Sequence, residues 1–491
     1  MSTAETLALV RNALSKSAGD LAKAATFTAN SNPTQGLQTY DLDQAVKNLV
    51  PWNSPLRNRI PRVAGVGGSQ ANWKAILKYN SNQINAGISD GRRGGQIDAV
   101  TAEYYAAYRT IGLESSATMT AEEQAQGFDD IRARAVMGLT NSMFEEEEKI
   151  ILGANATNPI GQTPTPSLTV ATSGGTIAHP TTVSVICVAL TFDAWRRFNG
   201  TSSIVQQFQR QNMDGTVETI NGGTALPSAA GSAATASGSA NMVTAKVTPL
   251  RGACGYAWYA GTAGAERFHS ITTVSQAVIT ALPSGTQLAS LLTAFDFSAD
   301  SLIHDGLLGM VGKTAMGAYY KAVTAGSSLT PDGAGGIVEF DDALRYWYDT
   351  HRLVPDEILI STQEVTTLKK IMVQQGAATS LARFTFTFNP QGQVIGAAAP
   401  LGYTNAYGTQ KSLTITQHPH MPPGTVMFLT NTLPYAMNNV NNILQIKTLR
   451  DYHQVEWPIR TRSYEYGVYS NQVLQHYFPP SMGIITNLSA A

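Results

Sequence analysis

The chain has 491 residues, of which 43% are hydrophobic and only 14% charged, and its formal net charge is −1. Charge well below the roughly 25% of an ordinary soluble protein suits a surface covered by neighbours better than that of a freely diffusing enzyme. Near-neutrality excludes a protein that holds nucleic acid mainly by neutralising phosphates, so any enclosed genome must be driven in by something else.

In chain order, Leu7, Val10, Leu14, Ala18, Leu21 and Ala25 recur at three- and four-residue steps and predict a helix, packed on its own domain or docking an assembly partner. Polar chain from Asn30 to Gln35 reads as an extended arm. Alternation of Trp73, Ala75, Leu77 and Tyr79 predicts one strand, and a second runs from about Ala102 to Leu113. Between them Gly87 to Gly95, with Arg92 and Arg93, is too glycine-rich to pack a core, which makes a projecting hairpin with a basic tip. Thr120 and Glu123 form a capping box for a helix from Ala121 to Leu152, striped by Phe128, Ile131, Ala135, Leu139 and Met143 and stopped at Gly153. Such a helix would be about 48 Å long, a structural spine.

From Gly161 to Pro283 the texture changes to Thr, Ser, Val, Ala and Gly, with strands at Thr182–Thr191 and Arg251–Gly261 and a low-complexity loop over Leu226–Asn241. Short strands between turns predict a β-sandwich, inserted as a separate unit that adds nothing to the central core. Asp341 is placed to cap a helix carrying Leu344, Trp347, Tyr348 and His351. Pro355–Ile360 reads as a buried strand, and Ser361 with Glu364 caps a helix running to Gly376. The stretch from Leu413 to Leu488 is strand-rich.

Sites for chemistry are hard to find. Cys187 and Cys254 lack CxxC spacing and read as small apolar residues in a reducing compartment. Gly306 and Gly312 are separated by five residues where a phosphate-cradling loop needs four, so helix packing is the better reading. His418 and His420 flank a proline, and two imidazoles alone make a poor metal site. Glu145, Glu146, Glu147 and Glu148 read as a solvated or interface face rather than a metal cluster. Arg11 and Lys16 interrupt any secretory apolar run, and no stretch approaches the ~20 apolar residues of a membrane span.

The order of elements, with Ser54-Pro-Leu-Arg-Asn-Arg-Ile60, Trp73 at the hairpin base, Val354-Pro-Asp-Glu-Ile-Leu-Ile-Ser361, His420-Met-Pro-Pro-Gly-Thr425, Tyr466-Gly-Val468 and Pro479-Pro-Ser-Met-Gly-Ile484, resembles the major capsid proteins of tailed phages, the Hong Kong 97 fold family. Gly255-Tyr-Ala-Trp-Tyr259 is similar to immunoglobulin or fibronectin-type sandwiches. The resemblance implies an α+β fold with N-terminal helix and arm (1–63), extended hairpin loop (64–120), spine helix of a peripheral domain (121–160), inserted sandwich (161–283) and axial domain with the rest of the peripheral domain (284–491). It implies a non-enzymatic shell subunit without cofactor or metal, forming hexamers and pentamers around double-stranded DNA in a virion assembled in the host cytoplasm. Partners would be a portal protein, a possible decoration protein and a separate scaffolding protein, since only about fifty residues precede Ser54. The rival within the fold is an encapsulin-like shell around protein cargo. Residues 57–109 carry eight basic against three acidic side chains, net +5, and residues 114–149 three basic against nine acidic, net −6. Arg57, Arg59, Arg62, Trp73, Arg92, Arg93 and Glu145 to Glu148 are therefore the expected contacts between copies, a basic hairpin on a neighbour's acidic spine.

Overall fold

Two long strands, Leu444–Glu456 and Ser463–His476, form the middle of a four-stranded sheet flanked by Arg62–Ala64 and Arg109–Thr118. The computed structural model describes residues 46–79, 85–333, 335–374, 384–385, 402–408 and 411–490, together with Ala8, Arg11 and Asn12. The expected N-terminal helix face and the polar arm at 30–35 lie outside the described residues.

Ile111, Tyr466 and Val468 project from one face of this sheet against Leu139 and Met143 of the long helix Ile131–Gly153. Those two helix residues belong to the apolar stripe read from the sequence. The helix itself is shorter than expected, 23 residues or about 34 Å. A separate helix, Met119–Ala125, precedes it, and Gly127 at φ +84° breaks the chain between them. The caps also differ: Thr118 accepts the Ala121 N–H and Asp130 the Ala133 N–H, in place of the Thr120–Glu123 box.

The expected hairpin forms between Gln70–Tyr79 and Ala99–Ala107, but its second strand ends before Tyr108. The chain then starts a new strand at Arg109 that pairs with Ser463–His476 instead. One apparent sequence strand thus serves two sheets, because pairing partners change where no turn signal marks the change.

A seven-stranded sheet runs in the order Tyr319–Ala322, Gly483–Thr486, Val426–Leu429, Glu357–Ile360, Ser412–Gln417, Gly402–Thr404, Phe384–Thr385. Glu357–Ile360 is buried throughout, parallel to Ser412–Gln417 and antiparallel to Val426–Leu429. Period-two alternation divides its side chains. Ile358 and Ile360 meet Phe340, Leu344, Trp347 and Leu368 of helices Val338–His351 and Thr362–Gln374. Leu359 joins Met427, Ile484, Ile151 and Leu152 on the other face. Asp341 lies inside its helix rather than capping it, and accepts the Tyr403 hydroxyl. Ser361 does precede its helix, donating its hydroxyl to Glu364 at 3.0 Å.

Within residues 161–283 a three-stranded sheet (Gln276–Ile279, Met242–Lys246, Ser167–Ala171) and a four-stranded sheet (Arg267–Thr272, Gly255–Gly261, Thr182–Leu190, Gly231–Ala234) share one apolar cluster. Val183, Val185, Cys187, Tyr256 and Trp258 face Val243, Ala245, Ala277 and Ile279 there. The low-complexity run is not all loop, since Gly231–Ala234 pairs with Thr182–Val185. Nor is the segment isolated from the body. Phe192 lies in the central cluster with Leu56, Ile151, Leu152 and Leu307, and Arg251 donates to the carbonyls of Val311 and Ala318, both at 2.7 Å. The expectation that it adds nothing to the central core is overturned.

Candidate assembly interface

Several large apolar side chains of the hairpin 70–107 are exposed. On one face Ala71, Trp73, Ala75, Ala102, Tyr104 and Ala106 alternate. Trp73 stacks on Tyr104 and meets the edge of Tyr477, each at 5.9 Å between ring centres, so the base of this face is anchored to the body. Farther out that support ends. Ile76, Leu77, Tyr79, Ile88, Ile97 and Val100 are all exposed there, and at the base Tyr105, opposite Asn72, is exposed by 71%. The register shift between Ile76 and Lys78 leaves Leu77 without an opposite residue, as in a β-bulge that twists a strand. Large exposed apolar patches are a common feature of interaction sites.

Arg92 and Arg93 lie exposed at the tip, as expected. The other charged candidates do not. Glu147 and Glu148 are fully buried. Glu147 accepts Arg57 Nε at 3.1 Å, Arg62 Nη1 at 2.7 Å, Gln472 Nε2 at 2.6 Å and the Tyr452 hydroxyl. The Arg57 guanidinium also sits 3.6 Å over the Phe144 ring, and that of Arg62 lies 4.4 Å over Tyr452. Glu148 accepts the backbone N–H groups of Leu56 and Arg57 and faces His418 Nε2 at 2.6 Å. Arg59 pairs with Glu357. Glu145 and Glu146 pair with Lys149, and Arg196 reaches Glu146 from the segment 161–283. Burial alone would raise the Glu146 carboxyl, but Arg196 and Lys149 outweigh it and hold it below its ordinary range.

The second half of the glutamate run is thus an internal junction, not a solvated face. Consecutive helical residues point in different directions, so two of the four turn inward, and Glu147 takes up Arg57 and Arg62, two of the arginines credited to a basic hairpin. Without Arg57, Arg59, Arg62 and Arg109, the hairpin 70–107 keeps Lys74, Lys78, Arg92 and Arg93 against Asp90, Asp98 and Glu103, a net charge of +1. His418, Tyr452 and Gln472 were missed as partners of the glutamates. Nothing local could have found them, since they lie some 270 to 325 positions away.

The remaining chemical candidates have structural explanations. Gly306 precedes the short helix Leu307–Gly312 and Gly309 lies within it, and a Cβ added at either would lie 2.3 Å from the carbonyl of Ile150 or Ala154 respectively. Close helix approach, not phosphate, requires those glycines. Burial pushes the Cys187 thiol well up and the Cys254 thiol to about 12, far from the range of a nucleophile at neutral pH. Among the described residues, no three His, Cys, Asp or Glu side chains gather for a metal, and no helix is long and apolar enough to cross a membrane.

No protein-family profile matches the sequence, and no curated relative does. Among solved structures, the chain is similar to that of Gordonia phage Cozz, at 6% identity and TM-score 0.40 over 93% of this chain and 92% of that one. The capsid of Myoviridae phage XM1 gives 9% identity and TM-score 0.39 over 91% and 97%. The holo-SrpI encapsulin complex from Synechococcus elongatus PCC 7942 gives 7% identity and TM-score 0.37 over 91% and 94%. Phage and encapsulin structures thus stand side by side.

Proposed function

We propose that this chain is the major capsid (head) protein of a tailed double-stranded DNA phage, a structural shell subunit rather than an enzyme. The hairpin 70–107 carries the reading. It leaves the body at an aromatic anchor, exposes six large apolar side chains beyond it and Tyr105 at its base, and has no core of its own. A two-stranded hairpin is marginally stable alone in water, and burying each such side chain against another copy contributes about 1–2 kcal/mol. Symmetric assembly repeats every contact, so hexamers and pentamers can close an icosahedral shell from individually weak joints. Near-neutral net charge fits a container into which DNA is packed by a motor and held without sequence preference. Scaffolding, portal and decoration proteins complete the partner set, in a virion assembled in the host cytoplasm.

Electron microscopy of the expressed chain, with and without co-expressed scaffold, tests this directly. Closed shells built of six- and five-fold units are expected, and a monodisperse monomer that forms no shell under either condition overturns the proposal. Double-stranded DNA inside shells matured in the host supports the phage reading, whereas a defined protein cargo with no DNA replaces it with an encapsulin-like container.

A further inference from the structure

Glu148 is fully buried near the end of the long helix, and its partners lie on two other elements. Its Oε1 and Oε2 accept the backbone N–H groups of Leu56 at 2.9 Å and Arg57 at 2.7 Å. These are the leading donors of the short helix Pro55–Arg59, whose N-cap residue Ser54 makes no side-chain capping bond. The carboxylate of a distant helix therefore supplies the cap that the local sequence leaves out. His418 Nδ1 accepts the His420 N–H at 3.2 Å, which turns the protonated Nε2 of the same ring toward Glu148.

A helix of five residues is far too short to persist by itself. Besides Glu148, it is held by Leu56 and Ile60 in the central apolar cluster, by the two arginine bonds to Glu147, and by Arg59 on Glu357. The chain runs directly from it into Arg62–Ala64, parallel to Ile446–Thr448, and on to the hairpin at Gln70. Leu56 and Ile60 share the central cluster with Leu359, Met427, Ile446 and Leu474 of the two sheets, but the clusters that hold helices Val338–His351 and Thr362–Gln374 on the seven-stranded sheet and the long helix on the four-stranded sheet contain no residue of 54–64.

We propose that Glu148 is a latch, a positioning residue whose carboxylate keeps residues 54–64 folded on the long helix and so fixes where the hairpin leaves the body. Opening the latch frees this segment as one unit, its edge strand Arg62–Ala64 included, while the other three strands of that sheet and the seven-stranded sheet stay formed. Charge is central to it, because a buried carboxylate accepting two N–H groups makes stronger bonds than a neutral acceptor of the same shape.

Hydrogen–deuterium exchange on the full-length chain, kept unassembled in low-salt buffer, provides the test. In Glu148→Gln, which retains one acceptor and the side-chain shape, peptides covering 54–64 should exchange about tenfold faster or more. Peptides from 357–360 and 463–476 should keep their wild-type rates, with an unchanged far-ultraviolet circular dichroism spectrum. Wild-type protection of 54–64 in this variant overturns the latch, and so does equal acceleration in both sheets, which would make Glu148 a general core stabiliser. Should the variant be insoluble, native-state exchange of the wild type in rising denaturant decides instead. Residues 54–64 opening together below the denaturant range of the sheets supports the latch, and their opening only with global unfolding overturns it.

Discussion

Gly153 and Phe192 meet so closely that a Cβ added at Gly153 would lie 2.3 Å from the Phe192 ring. The first closes the long helix and the second opens the helix Phe192–Phe198 of the sandwich segment. The absence of a side chain at 153 is thus what lets the segment seat an aromatic ring in the central cluster. The helix stop and the domain contact are one feature.

Gly153→Ala should therefore lower stability by about 1–3 kcal/mol, the usual cost of overpacking a core. Gly138→Ala in the same helix, where nothing lies within 4 Å of the added Cβ, should raise it by about 0.5–1 kcal/mol. Denaturant titration of the two variants, monitored by circular dichroism, should show midpoints moving in opposite directions.

Replacing Leu77 and Tyr105 by Ser should leave subunit stability within about 0.5 kcal/mol, since both side chains are exposed, yet reduce shell yield sharply. Reversing Arg92 and Arg93 to Glu should impair assembly more at low salt than at high salt, because contacts by exposed charges are screened. Light scattering and electron microscopy read both outcomes. Normal shells from the charge-reversed variant at every salt concentration would remove the arginines from the interface.

The fragment 161–283 should unfold cooperatively, because the cluster between its two sheets is built from its own strands. A fragment 160–300 should unfold at a higher temperature. Gln287 accepts the Tyr259 hydroxyl at 2.7 Å and the Ile204 N–H at 2.9 Å, and the Phe297 carbonyl accepts the Gly223 N–H at 3.0 Å. Ala289 belongs to the cluster on the other face of the four-stranded sheet. Equal melting temperatures by circular dichroism would show that residues 284–300 add nothing to the unit.

Two buried groups should give stability opposite pH dependences. Burial raises Glu364 from 4.5 to about 7, so the folded chain holds a proton that the unfolded chain releases. Its contribution is present below pH 4.5 and is lost as pH rises to about 7. Full burial lowers His476 from 6.5 to about 3, so its contribution is present above pH 6.5 and is lost as pH falls toward 3. Glu364→Gln should flatten the alkaline loss and exceed wild-type stability at about pH 8, while His476→Gln should flatten the acid loss. Denaturation midpoints across this pH range check both.

Much of the fold is written locally. The alternation of Trp73, Ala75 and Tyr79, the stripe through Leu139 and Met143, the buried run Glu357–Ile360 and the Ser361–Glu364 pair each specify an element through periodicity or a cap within a few residues. The arginines at the hairpin tip and its aromatic base were legible for the same reason, because neither depends on a distant partner to be recognised.

What only the tertiary structure decided was which strand pairs with which, and which charges stay in water. Ala102–Leu113 reads as one strand, but Tyr108 divides it between two sheets, since its first half pairs with the nearby Gln70–Tyr79 and its second with Ser463–His476, more than three hundred residues away. Glu145 to Glu148 read as one acidic run, but helical geometry turns Glu147 and Glu148 inward. There Arg57, Arg62, Gln472 and His418 offset a desolvation cost that a lone carboxylate could not bear. Composition counts charges along the chain, whereas burial depends on contacts across it, and those contacts exist only once the chain has folded.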